Sequence, residues 1–284
     1  MIMLREHARP PRLLGLYARS LAATLHRGGD GEIPALQLTL RGARPDPANL
    51  ARYRSLCAAG EGPLPGAYPH LLAFPLHLEL MSDQSFPFSP VGLVHIENRL
   101  RVHRPIDPAE RLDIHVRATP LEAHAKGLQF TILTEARAAG ELVWVEDSTM
   151  LRRGPGSPRS TVHASPALPA SEEHGEPWTL PAGLGRSYAS VSGDRNPIHL
   201  SRASARLFGF PHPIAHGMWT LGRSLGALQG LLGDAYTVGV RFRSPIPLPG
   251  RVIFTRCEQE PGILFAVRSA THLGQLHLNG SVSA

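Results

Sequence analysis

Residues 105–112 read PIDPAERL and residues 245–252 read PIPLPGRV. They align without gaps at an offset of 140 (245 minus 105), with Pro105/Pro245, Ile106/Ile246 and Arg111/Arg251 identical. Each follows an alternating segment, VGLVHIENRLRV in the first half and YTVGVRFRS in the second, and each precedes another, RLDIHVRAT and RVIFTRCEQ. Alternation sends successive side chains to opposite faces, so this order reads as neighbouring antiparallel strands joined by a proline-containing turn. Its recurrence at a fixed spacing reads as an internal repeat.

A second match lies upstream, where PHLLAFPL (69–76) aligns with PHPIAHGM (211–218) at an offset of 142 (211 minus 69). Each is followed by an apolar stretch that predicts a helix. In the second half Met218, Leu221, Leu225, Leu228 and Leu231 recur near a period of 3.6, and Gly233 is a stop signal. Further strands are expected near Tyr236–Arg243, Arg251–Gln259, Ile263–Ala270 and Gln275–Val282. Residues 153–177 are rich in Pro, Ser, Gly and Ala without periodicity and read as a linker. The expected organisation is an N-terminal extension (1–34) outside the repeat, with a helix after Pro11; a first repeat (35–152); the linker (153–177); and a second repeat (178–284). The fold class is α+β: a long helix wrapped by an antiparallel sheet, twice in one chain, which is a double hot-dog.

Composition narrows the function classes. With 42% apolar and 18% charged residues, the 284-residue chain has the balance of a globular protein. It has no apolar run of membrane-spanning length and no clean signal-peptide core, so a cytoplasmic location is expected. The net charge of +6 is carried almost wholly by arginine, since Lys126 is the only lysine. The arginines are scattered and do not interleave with aromatics, so nucleic acid is not an expected partner. A few suit an anionic arm of a ligand. Cys57 and Cys257 form neither a disulfide framework nor a metal spacing. The fifteen histidines include no HExxH, so no metal is expected.

The chemistry concentrates in YASVSGDRNPIH (188–199), followed by FGFPHPIAHGM (208–218). Gly193 permits an unusual backbone angle beside Asp194. Asn196 precedes a proline and is biased toward extended or turn geometry, while Pro197 suits a first helical turn. The turn can thus present Asp194 and His199 to one cavity. A carboxylate and an imidazole together can bind and deprotonate one water. Ser201 is placed to cap a short helix over ASARLF. Gly217, near the start of the long helix, has a free N–H suited to a developing oxyanion.

SGDRNPIH followed by AHGM resembles the signature of MaoC-like, R-specific enoyl-CoA hydratases and related acyl-carrier dehydratases. Residues 170–284 carry the resemblance, and the first half resembles the degenerate N-terminal hot-dog of two-repeat members. The resemblance implies a hydro-lyase acting on an enoyl or (R)-3-hydroxyacyl thioester of coenzyme A or acyl carrier protein. The carrier belongs to the substrate, and no cofactor is bound. It implies that Asp194 and His199 activate water, that Asn196 orients the pair, and that the Gly217 amide polarises the thioester carbonyl. Ser192 and His216 are read as turn or wall residues. The sequence is compatible with a homodimer. A hot-dog thioesterase and a non-catalytic acyl-binding or partner subunit are the competing readings.

The repeat supplies an internal control. Aligning Tyr53 with Tyr188 puts Ala59 opposite Asp194, and the PHLLAFPL match puts Pro75 opposite Gly217. The first half also lacks seven residues where the second carries His199 and its short helix, a gap expected to open a tunnel for a long acyl chain beside the first long helix.

Overall fold

The computed structural model describes residues 2–26, 31–156, 175–272 and 274–284. The first half comprises β1 (Met3–His7), α1 (Leu13–His26), β2 (Leu36–Ala43), α2 (Pro47–Cys57), α3 (Pro69–Ser82), β3 (Leu93–Val102), β4 (Leu112–Ala118), β5 (Glu122–His124), β6 (Gly127–Ala138) and β7 (Glu141–Arg153). The second comprises β8 (Glu176–Leu180), α4 (Leu184–Ser192), a 3-10 turn (Pro197–His199), α5 (Arg202–Leu207), α6 (Gly217–Leu228), β9 (Tyr236–Phe242), β10 (Gly250–Gln259), β11 (Gly262–Ser269) and β12 (Leu276–Ser283). All four strands expected in the second half are present. Most of the expected linker, 157–174, lies outside the described residues.

Local chemistry sets these boundaries. Asp46 caps α2 by accepting from the Asn49 N–H at 2.8 Å, and Pro47 opens the helix. Alternation in β4 buries Leu112, Ile114 and Val116 completely while Asp113 and His115 face outward, where Thr39 and Arg41 of β2 meet them. Ser201 caps α5 through the Ser204 N–H.

The strands form one sheet in the order β1-β2-β4-β6-β7-β3-β9-β12-β11-β10-β8, with β5 attached to β6. From the central pair outward the halves match strand for strand: β3-β7-β6-β4-β2 on one side and β9-β12-β11-β10-β8 on the other. The seam is antiparallel, pairing Asn98 with Val240 and Leu100 with Val238. Each half is a hot-dog unit, and the two share a continuous sheet.

Main-chain hydrogen bonds fix the correspondence of the halves more firmly than sequence does. Leu64 N–H donates to the Ile106 carbonyl and Ala215 N–H to the Ile246 carbonyl, both at 2.9 Å. Leu64 therefore stands at the place of Ala215, and Gly66 at the place of Gly217. This corrects the pairing of Gly217 with Pro75, which lies inside α3. The other alignment holds in geometry: α2 and α4 each end in a left-handed residue, Ala58 (φ 49°) and Gly193 (φ 77°). Ala59 follows the first as Asp194 follows the second.

The expected origin of the tunnel is corrected too. The shortened stretch between α2 and α3 borders a separate cavity of about 220 Å3, where the Gln229 side-chain oxygen accepts from the Gly60 N–H at 2.6 Å. It does not border the larger channel described below.

The seam is a stability determinant. Leu100 is fully buried within it, and Leu100→Ala is expected to destabilise the protein by about 2–5 kcal/mol, read as a lower urea midpoint with an unchanged slope.

Candidate active site

The turn after α4 is built by short-range hydrogen bonds. Ser192 Oγ donates to the Tyr188 carbonyl at 2.9 Å and accepts from the Asp194 N–H at 3.1 Å. Gly193 takes a positive φ of 77°, and a Cβ there would lie 2.6 Å from Leu13 of α1. Asp194 Oδ1 accepts from the Asn196 N–H at 3.0 Å, and the Asn196 side chain accepts from Ile198 N–H at 3.3 Å, capping the 3-10 turn. Asn196 thus orients Asp194 through its main chain, while its side chain shapes the turn that presents His199.

His199 is buried, and its Nδ1 lies 2.7 Å from the Ile214 carbonyl. A carbonyl only accepts, so Nδ1 carries the proton and Nε2 keeps its lone pair. His216 stacks on His199 with ring centroids 3.6 Å apart. Its Nε2 donates to the Asp194 carbonyl at 3.0 Å, and its Nδ1 is buried without a partner among the described residues. The same Nε2 lies 3.8 Å from Asp194 Oδ2, a separation too long to compete with the carbonyl.

Burial lowers both imidazoles, His216 to about 3, so both are neutral near pH 7. Burial alone would raise the Asp194 carboxyl, but His216, His199 and the Asn196 N–H outweigh it and hold the group below its ordinary value. A carboxylate thus stands beside an imidazole with a free lone pair.

Gly217 is the first residue of α6, where main-chain N–H groups lack helical partners. A Cβ at this position would lie 2.9 Å from the Phe242 ring, so only glycine lets that ring close over the helix start.

Ser192, Asp194, Asn196, His199, His216 and Gly217 all line one cavity of about 410 Å3. Phe74, Met81, Leu93, Ile132 and Met150 of the first half form its apolar wall, so the channel runs between the halves, beside α3. Among the described residues two groups have ion-like spacing, Asp194–His199–His216 and His70–His77–Glu146. In each, a nitrogen is already spent on a protein acceptor: His216 Nε2 on the Asp194 carbonyl and His70 Nδ1 on Glu146.

Two contributors escaped the sequence reading. Ile214 supplies only a carbonyl, which no side chain signals. Tyr17 of α1 donates to the Gly193 carbonyl at 2.9 Å and accepts from the Arg195 N–H at 2.7 Å, bracketing Asp194 from a helix 176 residues away in sequence. The N-terminal extension therefore buttresses the site.

Comparison with known proteins gives a consistent picture. Residues 172–269 match the family model described as "MaoC like domain". The chain is 32% identical over 256 residues to 3-hydroxyacyl-thioester dehydratase X of Mycobacterium tuberculosis, covering 88% of this chain and 90% of that one. The chain belongs to the MaoC-like dehydratase family. It is a hydro-lyase. It is also 26% identical to the peroxisomal enoyl-CoA hydratase 2 of Arabidopsis thaliana over 60% of this chain and 61% of that one. The crystal structure of HtdX from Mycobacterium tuberculosis superposes with a TM-score of 0.76 at 31% identity, covering 87% of this chain and 98% of that one. Among the described residues no helix is long and apolar enough to cross a membrane.

The hydrogen-bond directions give an expectation for nitrogen-detected NMR. Down to about pH 6.5, the ordinary histidine value, His199 should be neutral with its proton on Nδ1, and His216 neutral with its proton on Nε2. The same tautomer at both rings would contradict the assigned geometry.

Proposed function

We propose that the protein interconverts an enoyl thioester and its (R)-3-hydroxyacyl thioester, carried by coenzyme A or acyl carrier protein, using Asp194, His199 and the Gly217 amide. The observation that carries this reading is the pairing of the Asp194 carboxylate with the free Nε2 of His199 on the wall that also holds the start of α6. The names of the relatives support the substrate class, and the motif resemblance supports the R configuration.

In the hydration direction, water sits between the Asp194 carboxylate and His199 Nε2. As its oxygen bonds to C3, the pair takes up a proton and the C2=C3 electrons move toward the thioester oxygen. The Gly217 N–H stabilises the charge that develops there. Asp194 delivers a proton to C2 as the carbonyl reforms, so one water is added and the dyad returns to its starting state. Dehydration reverses each step. No metal or redox group enters this reading, because the carbanion equivalent at C2 is stabilised by the substrate's own thioester. Arg243, beside the catalytic wall, is placed to meet an anionic carrier arm.

The test is loss of enoyl-thioester absorbance on adding pure protein. Asp194→Asn and His199→Gln should each reduce kcat by about 10²–10⁴-fold. Release of free thiol would instead support a thioesterase.

The amide donor has its own test. Proline is tolerated at the first helical position but has no N–H, and His216, which would precede it, already has extended geometry (φ −67°, ψ 137°). Gly217→Ala and Gly217→Pro both meet Phe242, so the further loss in the proline variant, about 10²–10³ in kcat, isolates the amide.

The pH profile follows from the shifts. Both Asp194 and His199 sit below their ordinary values, so kcat/KM should stay level through neutrality and fall only below about pH 6.5, as acid protonates the dyad. An acid limb centred above neutrality would contradict the assignment.

A further inference from the structure

The wall facing the catalytic turn holds a second constellation. Glu146 of β7 is fully buried, with its carboxylate oxygens 2.8 and 3.0 Å from His70 Nδ1 of α3. Asn98 Nδ2 donates to the same carboxylate at 2.8 Å and to Ser148 Oγ at 3.0 Å. His77 Nε2 bonds Thr134 Oγ1 at 2.8 Å. His70, His77, His95 and Ser148 all line the cavity shared with Asp194 and His199.

The fold does not require these polar residues. Strand register gives the second-half counterparts of Asn98, Ser148, Glu146 and Thr134. Asn98 pairs with Ser148 and Leu100 with Glu146, as Val238 pairs with Val282 and Val240 with Gly280. Thr134 pairs with Glu146 as Phe265 pairs with Gly280. Keeping the offset of 151 set by Gly66 and Gly217 (217 minus 66), His70 of α3 corresponds to Leu221 of α6 and His77 to Leu228. Thus Asn, Ser, Glu, Thr, His and His in one half stand where Val, Val, Gly, Phe, Leu and Leu fill the other. The apolar set is a working core in the same architecture, and burying polar groups costs desolvation free energy even when they are hydrogen-bonded. The fold alone does not account for the polar set, and His70, His77 and Ser148 of it face the cavity.

Polar atoms in and beside this set remain unsatisfied, Asn98 Oδ1 among them, with no partner among the described residues. Burial would raise the Glu146 carboxyl, but His70 and Asn98 hold it ionised, at about 2. His70 Nδ1 must then donate, leaving Nε2 as the ring's remaining polar atom. Burial lowers the His95 imidazole to about 4, and its Nε2 is buried with no partner among the described residues. Two imidazole nitrogens with capacity to spare thus border the cavity on the side where Phe74, Met81, Leu93, Ile132 and Met150 form its apolar wall.

We propose that the His70–Glu146 pair and His95 form a recognition site for a hydroxyl group carried on the acyl chain beyond C3. This rests on the thioester reading above and names the substrate class within it. A hydroxyl can donate to a bare imidazole nitrogen and accept from a neighbouring N–H. A carboxylate would be repelled by Glu146. A fully saturated chain would leave the nitrogens dry and unpaired, which is how a polar site rejects an apolar analogue.

Calorimetry with saturated acyl-CoAs tests the site without turnover. Chains of one length are compared, plain or with a single hydroxyl stepped along positions beyond C3. Wild-type protein should bind one hydroxyl position about tenfold more tightly than the plain chain. That ratio should fall to about one in His95→Phe, and in His70→Leu combined with Glu146→Leu, which leaves no lone buried charge. If the double variant fails to fold, His95→Phe carries the test. Equal binding of plain and hydroxylated chains by wild type, or a preference that survives the substitutions, overturns the proposal. So does tight zinc binding that the same substitutions abolish. Hydration of a plain enoyl-CoA is read separately. Inactivity with the hydroxyl preference intact counts against the hydro-lyase reading alone, and activity without the preference counts against this site alone.

Discussion

The strap from Pro213 to His216 is held by main-chain hydrogen bonds on both sides, and the site depends on it. On one side Ile214 N–H donates to the Ile198 carbonyl and Ile214's own carbonyl accepts from the His199 Nδ1–H. On the other, Ala215 N–H reaches the Ile246 carbonyl and Leu248 N–H reaches the Pro213 carbonyl. The proline-rich turn after β9 thereby fixes the tautomer of His199 and the position where α6 begins. Loss of these bonds would leave the Asp194 turn intact but would uncouple it from both the imidazole and the helix start.

The halves show one framework put to two uses. Each turns its edge of the sheet around a central helix, and each ties the approach to that helix to the same isoleucine of the repeat. In the second half the helix face is leucine, and the polar atoms gather on the turn after α4. In the first half that turn is bare, with Ala59 where the carboxylate would be, and the polar atoms lie on the helix face and the strands beneath it. The cavity between them has Asp194 and His199 on one wall and His70, His77 and His95 on the other.

Much of this was legible in the sequence because it depends on short-range pattern. Alternation around PIDPAERL and PIPLPGRV located the seam strands, and the SGDRNPIH turn advertised its geometry through Gly193 and Pro197. What stayed hidden depends on distance in sequence. Tyr17 contacts residues 176 and 178 positions away, and Glu146 finds His70 across 76. The equivalence of Gly66 with Gly217 was also missed, because Leu64 keeps toward Ile106 the bond that Ala215 makes to Ile246 while PHLLAFPL only looks like PHPIAHGM. A main-chain bond preserved that correspondence where side-chain identity did not.

The antiparallel seam has an evolutionary corollary. A strand edge that accepts its diverged sister in this register accepts an identical copy by the same two-fold geometry. Before fusion, therefore, an ancestral single unit would have closed its sheet by self-association, with two equivalent clefts per pair. Joining two units in one polypeptide freed the copies to drift independently. One cleft could surrender its reactive turn without leaving an unpaired edge open to aggregation.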